Sequence, residues 1–131
     1  MATLLLDTSV IIDAINEKRN RNKLLLDLTE QQGHILACCA ISVTEVYAGM
    51  RPKEEPRTTA LLRSLRLYPI TFAVAELAGR LKREYGKKGI TLATTDVIIA
   101  AVAVEHQLSL ITDNTKDFPM KNLKLHPLPE N

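Results

Sequence analysis

The sequence predicts a three-layer α/β/α fold, in which a mainly parallel sheet of four to five strands is flanked by helices on both faces. Three observations lead there. Short apolar runs of strand length alternate with longer stretches of helical periodicity. Strands separated by helices need crossover connections, which are right-handed and lay the strands parallel. One helical stretch, 95–107, is apolar nearly all round, so it must be covered on every side.

The elements follow in order. Residues 3–6 form a short apolar run that stops at Asp7 and predict a buried strand. A helix is expected over 10–15 and another over 23–32, ended by Gly33. Residues 34–40 predict the second strand. Ser42 opens a helix to about Met50, with Ser42-Val43-Thr44-Glu45 matching a capping box. Pro52 and Pro56 break it. Residues 58–66 are helical and 67–71 a short strand. Over 72–86, Val74, Leu77, Ala78, Leu81 and Tyr85 recur on one helical face, and Glu76 precedes Arg80 by one turn. After the apolar helix come strands at 108–112 and 124–127.

The chain has 131 residues, which suits a single domain over 1–131 with a true core. It has no Trp, so that core must be aliphatic. A net charge of +2 does not by itself announce nucleic-acid binding. Basic residues do cluster, at Lys18, Arg19, Arg21 and Lys23 and again at Arg80, Lys82, Arg83, Lys87 and Lys88. These are solvated helix faces or a phosphate-contacting surface. Cys38 and Cys39 are adjacent on a strand, so they point to opposite faces and make no C-x-x-C site. Two thiols without a disulfide framework suit a reducing cytoplasm. No basic leader is apparent, and the longest apolar run, 97–104, is too short to span a bilayer, so no membrane association is expected. His34, His106 and His126 lack ligand spacing to one another.

The acids are the informative residues. In open α/β sheets, sites form outside the carboxyl ends of the strands. Asp7 and Asp113 end strands, and Glu45 and Asp96 open helices, so all four should face one edge. Singly, each is explained as a cap or turn. Together they repel: about 4 kcal/mol per pair at roughly 4 Å and an effective dielectric near 20. No Lys or Arg adjoins them in sequence. The remedies are a divalent cation or a raised pKa. Oxygen-only ligands select Mg²⁺ or Mn²⁺, whose chemistry at such sites is phosphate-ester hydrolysis.

Four segments, Leu5-Leu6-Asp7-Thr8-Ser9-Val10, Ser42-Val43-Thr44-Glu45-Val46, Asp96-Val97-Ile98-Ile99-Ala100-Ala101 and Leu110-Ile111-Thr112-Asp113-Asn114 with Asp117-Phe118, resemble the successive signatures of the PIN-domain family. The narrower resemblance is to its VapC-type toxins of toxin–antitoxin pairs. Each motif is weak alone; their ordered set spans nearly the whole chain.

The resemblance implies a metal-dependent endoribonuclease acting on structured RNA such as tRNA or rRNA. It also implies a small cognate antitoxin and a homodimer. It carries Asp7, Glu45, Asp96 and Asp113 over as catalytic and metal-binding acids, with Thr8, Ser9, Thr112 and, less regularly, Asp117 in support. Apolar surface around Leu24, Leu25, Leu26 and Leu28 could take an antitoxin segment or a second protomer.

Two other readings stay open. A binding module would use the acids only as caps. A phosphoryl-transfer enzyme would use Asp7 as nucleophile. A haloacid-dehalogenase-like version wants an acid where Ser9 stands, and a receiver-like version wants a paired acid and a late Lys that are not evident. The four acids do not distinguish RNA from DNA, because metal-assisted attack by water needs no 2′-hydroxyl.

Overall fold

The computed structural model describes residues 1–129, so positions 130 and 131 of the expected domain lie outside the described residues. Five parallel strands form one sheet in the order β3-β2-β1-β4-β5. They are β1 (Thr3–Leu6), β2 (Ile35–Cys39), β3 (Arg66–Tyr68), β4 (Ser109–Ile111) and β5 (Lys124–Leu125). The helices are α1 (Thr8–Ile15), α2 (Arg21–Leu26), α3 (Ala40–Gly49), α4 (Glu55–Ser64), α5 (Phe72–Lys87) and α6 (Thr94–Glu105).

Alternation along the strands divides the core in two. Leu5, Ala37, Cys39 and Leu110 face one side and pack with Val74, Ala78 and Leu81 of α5 and Val97 to Ala103 of α6. Leu4, Leu6, Leu36, Cys38 and Ile111 face the other and meet α1, α2 and α4. The adjacent cysteines do serve opposite faces, and both are free and buried. Both sheet faces are covered, as parallel strands require. Each fully buried Leu or Ile stabilises the fold by roughly 1.5–3 kcal/mol.

Several boundaries differ from the sequence expectations. The helix expected over 23–32 is α2 followed by a π-helical stretch, Asp27–Gln31. It ends as expected at Gly33, whose φ of +70° suits a residue without Cβ. Helix α3 starts at Ala40 rather than Ser42, with Cys39 as its N-cap. The capping box is therefore not one: Ser42 and Glu45 lie inside the helix, and Ser42 is fully buried. Pro52 and Pro56 do not lie in a plain break. They open a 3-10 turn (Pro52–Glu54) and α4, where a missing N–H is harmless. The face predicted for α5 holds: Val74, Ala78 and Leu81 are buried, Leu77 and Tyr85 pack beside them, and Arg80 pairs with Glu76 at 3.2 Å.

The chain runs outward from β1 through β2 to β3, then returns to the other side of β1 for β4 and β5. The strand order therefore reverses between β1 and β4. Connections leave in opposite directions there and open a crevice at the strands' carboxyl ends.

Candidate active site

Asp7 sits at that reversal. Its amide donates to the Ile111 carbonyl at 2.9 Å, continuing the β1–β4 ladder by one residue. Its extended backbone then makes it the N-cap of α1. Asp7 is buried, 5% exposed, and each carboxylate oxygen accepts at least one hydrogen bond, with acceptor capacity left on Oδ1. Oδ1 accepts from the Thr8 amide at 2.8 Å. Oδ2 accepts from the Thr112 hydroxyl at 2.7 Å and from the Ser9 hydroxyl at 3.3 Å.

Thr8 ties in the next acid. Its hydroxyl donates to Glu45 Oε1 at 2.7 Å and lies 2.8 Å from Ser42 Oγ. Its single proton goes to Glu45, so Ser42 donates to Thr8. This explains why a buried serine stands inside α3: it completes a relay from Ser42 through Thr8 to Glu45. Asp96 is the third residue of α6, half-buried in the first turn, as its sequence position suggests.

Electrostatics mark the same group. Burial raises the Asp7 carboxyl above its ordinary value, opposed by the hydrogen bonds from Thr112, Thr8 and Ser9, and the Glu45 charge raises it further. Burial also pushes Asp96 up to about 6, with added repulsion from Asp7, Asp117 and Glu45. Asp7, Glu45 and Asp96 thus share one field. Asp117 closes a 3-10 turn (Thr115–Asp117), is exposed, and adds its charge to that field.

Asp113 is placed differently. Its carboxylate accepts from Arg21 Nη2 at 2.6 Å and Arg21 Nε at 3.2 Å, and Arg19 Nη1 lies 3.3 Å away. Arg21 is fully buried, not part of a solvated basic face. The expectation that no cation adjoins the acids holds along the chain and fails in space, because Arg21 and Asp113 are 92 residues apart. No sequence signal foretold this pair. The Ser42 role was hidden by its resemblance to a cap.

Among the described residues no histidine pairs with an acid, although His126 borders the same cleft as Asp113. His34 Nδ1 accepts from the Ala2 amide at 3.0 Å, His126 meets His34 edge-on at 5.7 Å, and His106 packs on Tyr68 at 4.7 Å.

The donor set suits a hard cation, since it offers carboxylate oxygens whose mutual repulsion at Asp96 no basic side chain among the described residues relieves. Among the described residues, no three His, Cys, Asp or Glu side chains are already gathered to ligate an ion. Mg²⁺ does not need three. It commonly uses one or two carboxylates and keeps several waters, and Asp7 with Asp96 fits that demand.

The PIN domain model matches residues 4–121. The chain belongs to the PIN-domain family. Within it, the chain is 36% identical over 85 residues to Ribonuclease VapC10 of Mycobacterium tuberculosis, covering 65% of this chain and 64% of that protein. The chain therefore matches just under two thirds of that relative's length. Ribonuclease VapC19 of the same organism is 28% identical over 116 residues, covering 88% of this chain and 92% of its own. Among solved structures, a toxin–antitoxin complex from Klebsiella pneumoniae aligns with a TM-score of 0.75 at 32% identity, over 92% of this chain and 94% of the other. The PIN fold thus agrees with the α/β/α architecture that the sequence predicts. Among the described residues no helix is long and apolar enough to cross a membrane.

Proposed function

We propose that this PIN domain is a metal-dependent endoribonuclease, the toxin of a toxin–antitoxin pair. The observation that carries the reading is the shared field of Asp7, Glu45 and Asp96, in which burial and the neighbouring acids push Asp96 up to about 6 and no basic partner stands beside it among the described residues. Carboxylates kept together at a cost in repulsion are expected where a cation binds. The choice of RNA, and of a toxin role, comes from the likeness to VapC ribonucleases and to a toxin–antitoxin complex.

In this reading Asp7 and Asp96 hold Mg²⁺ or Mn²⁺, with Glu45 beside them and Asp113 as the fourth acid behind, paired to Arg21. The bound cation would neutralise the phosphodiester and activate water for hydrolysis. Thr112, Ser9 and the Thr8 amide fix the Asp7 oxygens. The Ser42–Thr8 relay fixes Glu45, which is free to orient or deprotonate a water through its other oxygen. Asp117 stands at the rim. A phosphoryl-transfer reading with Asp7 as nucleophile lacks the second acid that such sites want where Ser9 stands.

The antitoxin would fit an apolar groove of about 830 Å³ bordered by Ala14, Ile15, Leu25, Leu26, Leu61 and Leu65. Leu26 is 55% exposed there, and an amphipathic segment would cover it.

The test incubates the purified protein with labelled RNA and Mg²⁺ or Mn²⁺, with and without chelator. Cleavage is expected with metal and should vanish in chelator and in Asp7→Asn. Cleavage surviving either change would reject the proposal. Expression without an antitoxin should arrest growth, and Asp96→Asn should relieve it.

A further inference from the structure

We propose that Arg21 is a positioning residue for the acidic site: it clamps Asp113 and, through the 112–114 turn, fixes the orientation of the Asp7 carboxylate. Its effect on a cation rests on the metal-site reading above; its effect on Asp7 does not.

Arg21 spends its guanidinium entirely inside the protein. Nε and Nη2 grip the two Asp113 oxygens at 3.2 and 2.6 Å, and Nη1 donates to the Arg19 carbonyl at 3.1 Å. The fork geometry fits a carboxylate on both arms. The segment that delivers it is shaped for the purpose. Glu17, Arg19 and Asn20, all non-glycine, have φ of 55°, 56° and 57°. Left-handed backbone at such residues persists only where its surroundings over-determine it.

The other end of the clamp reaches the site in one residue. Thr112 precedes Asp113, and its hydroxyl donates to Asp7 Oδ2 at 2.7 Å while accepting from the Asn114 amide at 3.0 Å. The turn is thus held on one side by Arg21 and presented on the other to Asp7. A shift of Asp113 must carry Thr112 with it.

A rival role predicts the opposite sign. If Arg21 merely competes with a cation for Asp113, weakening Arg21 frees a ligand and metal binds more tightly. If Arg21 positions Asp7, weakening it loosens Asp7 and metal binds less tightly.

The experiment compares wild type with Arg21→Lys, which keeps the charge and loses the fork. In metal-free protein, amide hydrogen exchange should quicken about twofold to tenfold at Thr8 and Asn114, the amides bonded to Asp7 and Thr112, a change of the size that one lost hydrogen bond gives. Leu5 and Ala37, in the sheet centre, should keep their rates. Mn²⁺ affinity, read from the electron paramagnetic resonance of the free ion, should fall about tenfold to a hundredfold, the range found for groups that orient metal ligands. Unchanged exchange at Thr8 and Asn114, or tighter Mn²⁺ binding, would overturn the proposal. Should Arg21→Lys not fold, the double variant Arg21→Met/Asp113→Leu removes both buried charges, and the same two amides must quicken in it. A wild type that binds no Mn²⁺ would strike the metal-site reading alone, and the exchange rates would still decide the role of Arg21.

Discussion

Asp7 and Asp113 follow neighbouring strands at the same edge of the sheet, and both carboxylates are buried, yet their surroundings are opposite. Asp7 accepts three hydrogen bonds from neutral donors and lies in the field of other acids. Asp113 is gripped by a buried guanidinium, with a second at the rim. One acid is kept short of countercharge; the other is supplied with it. Place in the fold therefore does not assign a carboxylate its role. The partner that tertiary structure brings does.

This contrast can be broken most forcefully at Arg21. Arg21→Met leaves the Asp113 charge only Arg19 at the rim and should destabilise the protein by up to about 3–5 kcal/mol in denaturant melts. Asp113→Asn, which leaves Arg21 a neutral partner, should cost less. Similar melts of the two variants would show that the ion pair contributes little.

Asp7→Asn should act in the other sense. RNA cleavage is expected to fall by more than about a hundredfold, beyond the loss typical of groups that only orient a ligand. Metal-free stability should hold or rise, because the charge removed is one the fold disfavours. A marked loss of stability in Asp7→Asn would make the acid a structural cap and erase the contrast.

Thr112→Val removes the strongest neutral support of Asp7. A hydrogen bond to a charged group is worth roughly 1.5–3 kcal/mol. That bond lowers the Asp7 pKa, so the variant should raise it further. Carboxyl carbon shifts followed through a pH titration would record the change, and an unmoved Asp7 curve would refute the assignment.

The smallest effect is expected at Asp96, whose folded pKa of about 6 lies above its ordinary 3.8. The folded state holds the proton more tightly than the unfolded state, so stability falls as pH rises from about 4 to about 6. Asp96→Asn should abolish that slope. Without metal it should gain on the order of 1 kcal/mol above pH 6, after discounting for partial exposure, and nothing near pH 4. Added Mg²⁺ should stabilise the wild type and not the variant. Equal pH slopes in thermal melts of the two proteins would rule this out.

Much of the fold was legible because its signals are local. The periodicity of α5, the all-apolar α6 and the strand run before Asp7 each depend on neighbours along the chain. Boundaries were read less well where one local pattern served another end. Ser42 and Glu45 have the spacing of a capping box, but the helix begins at Ala40 and Ser42 turns inward to Thr8. Gly33 marked a stop correctly without showing that the stretch before it widens into a π-helix.

The sequence by itself determined the family, the alternating architecture, and the placing of Asp7, Glu45, Asp96 and Asp113 at the sheet's carboxyl edge. These follow from hydrophobic periodicity and from where each acid falls relative to its own strand or helix. Only the tertiary structure decided which of those acids are left to repel one another and which is neutralised. Charge pairing acts over a few ångströms of space and is blind to chain distance. The guanidinium that closes Asp113 comes from 92 residues earlier, out of a basic run that reads as a solvated or phosphate-contacting surface.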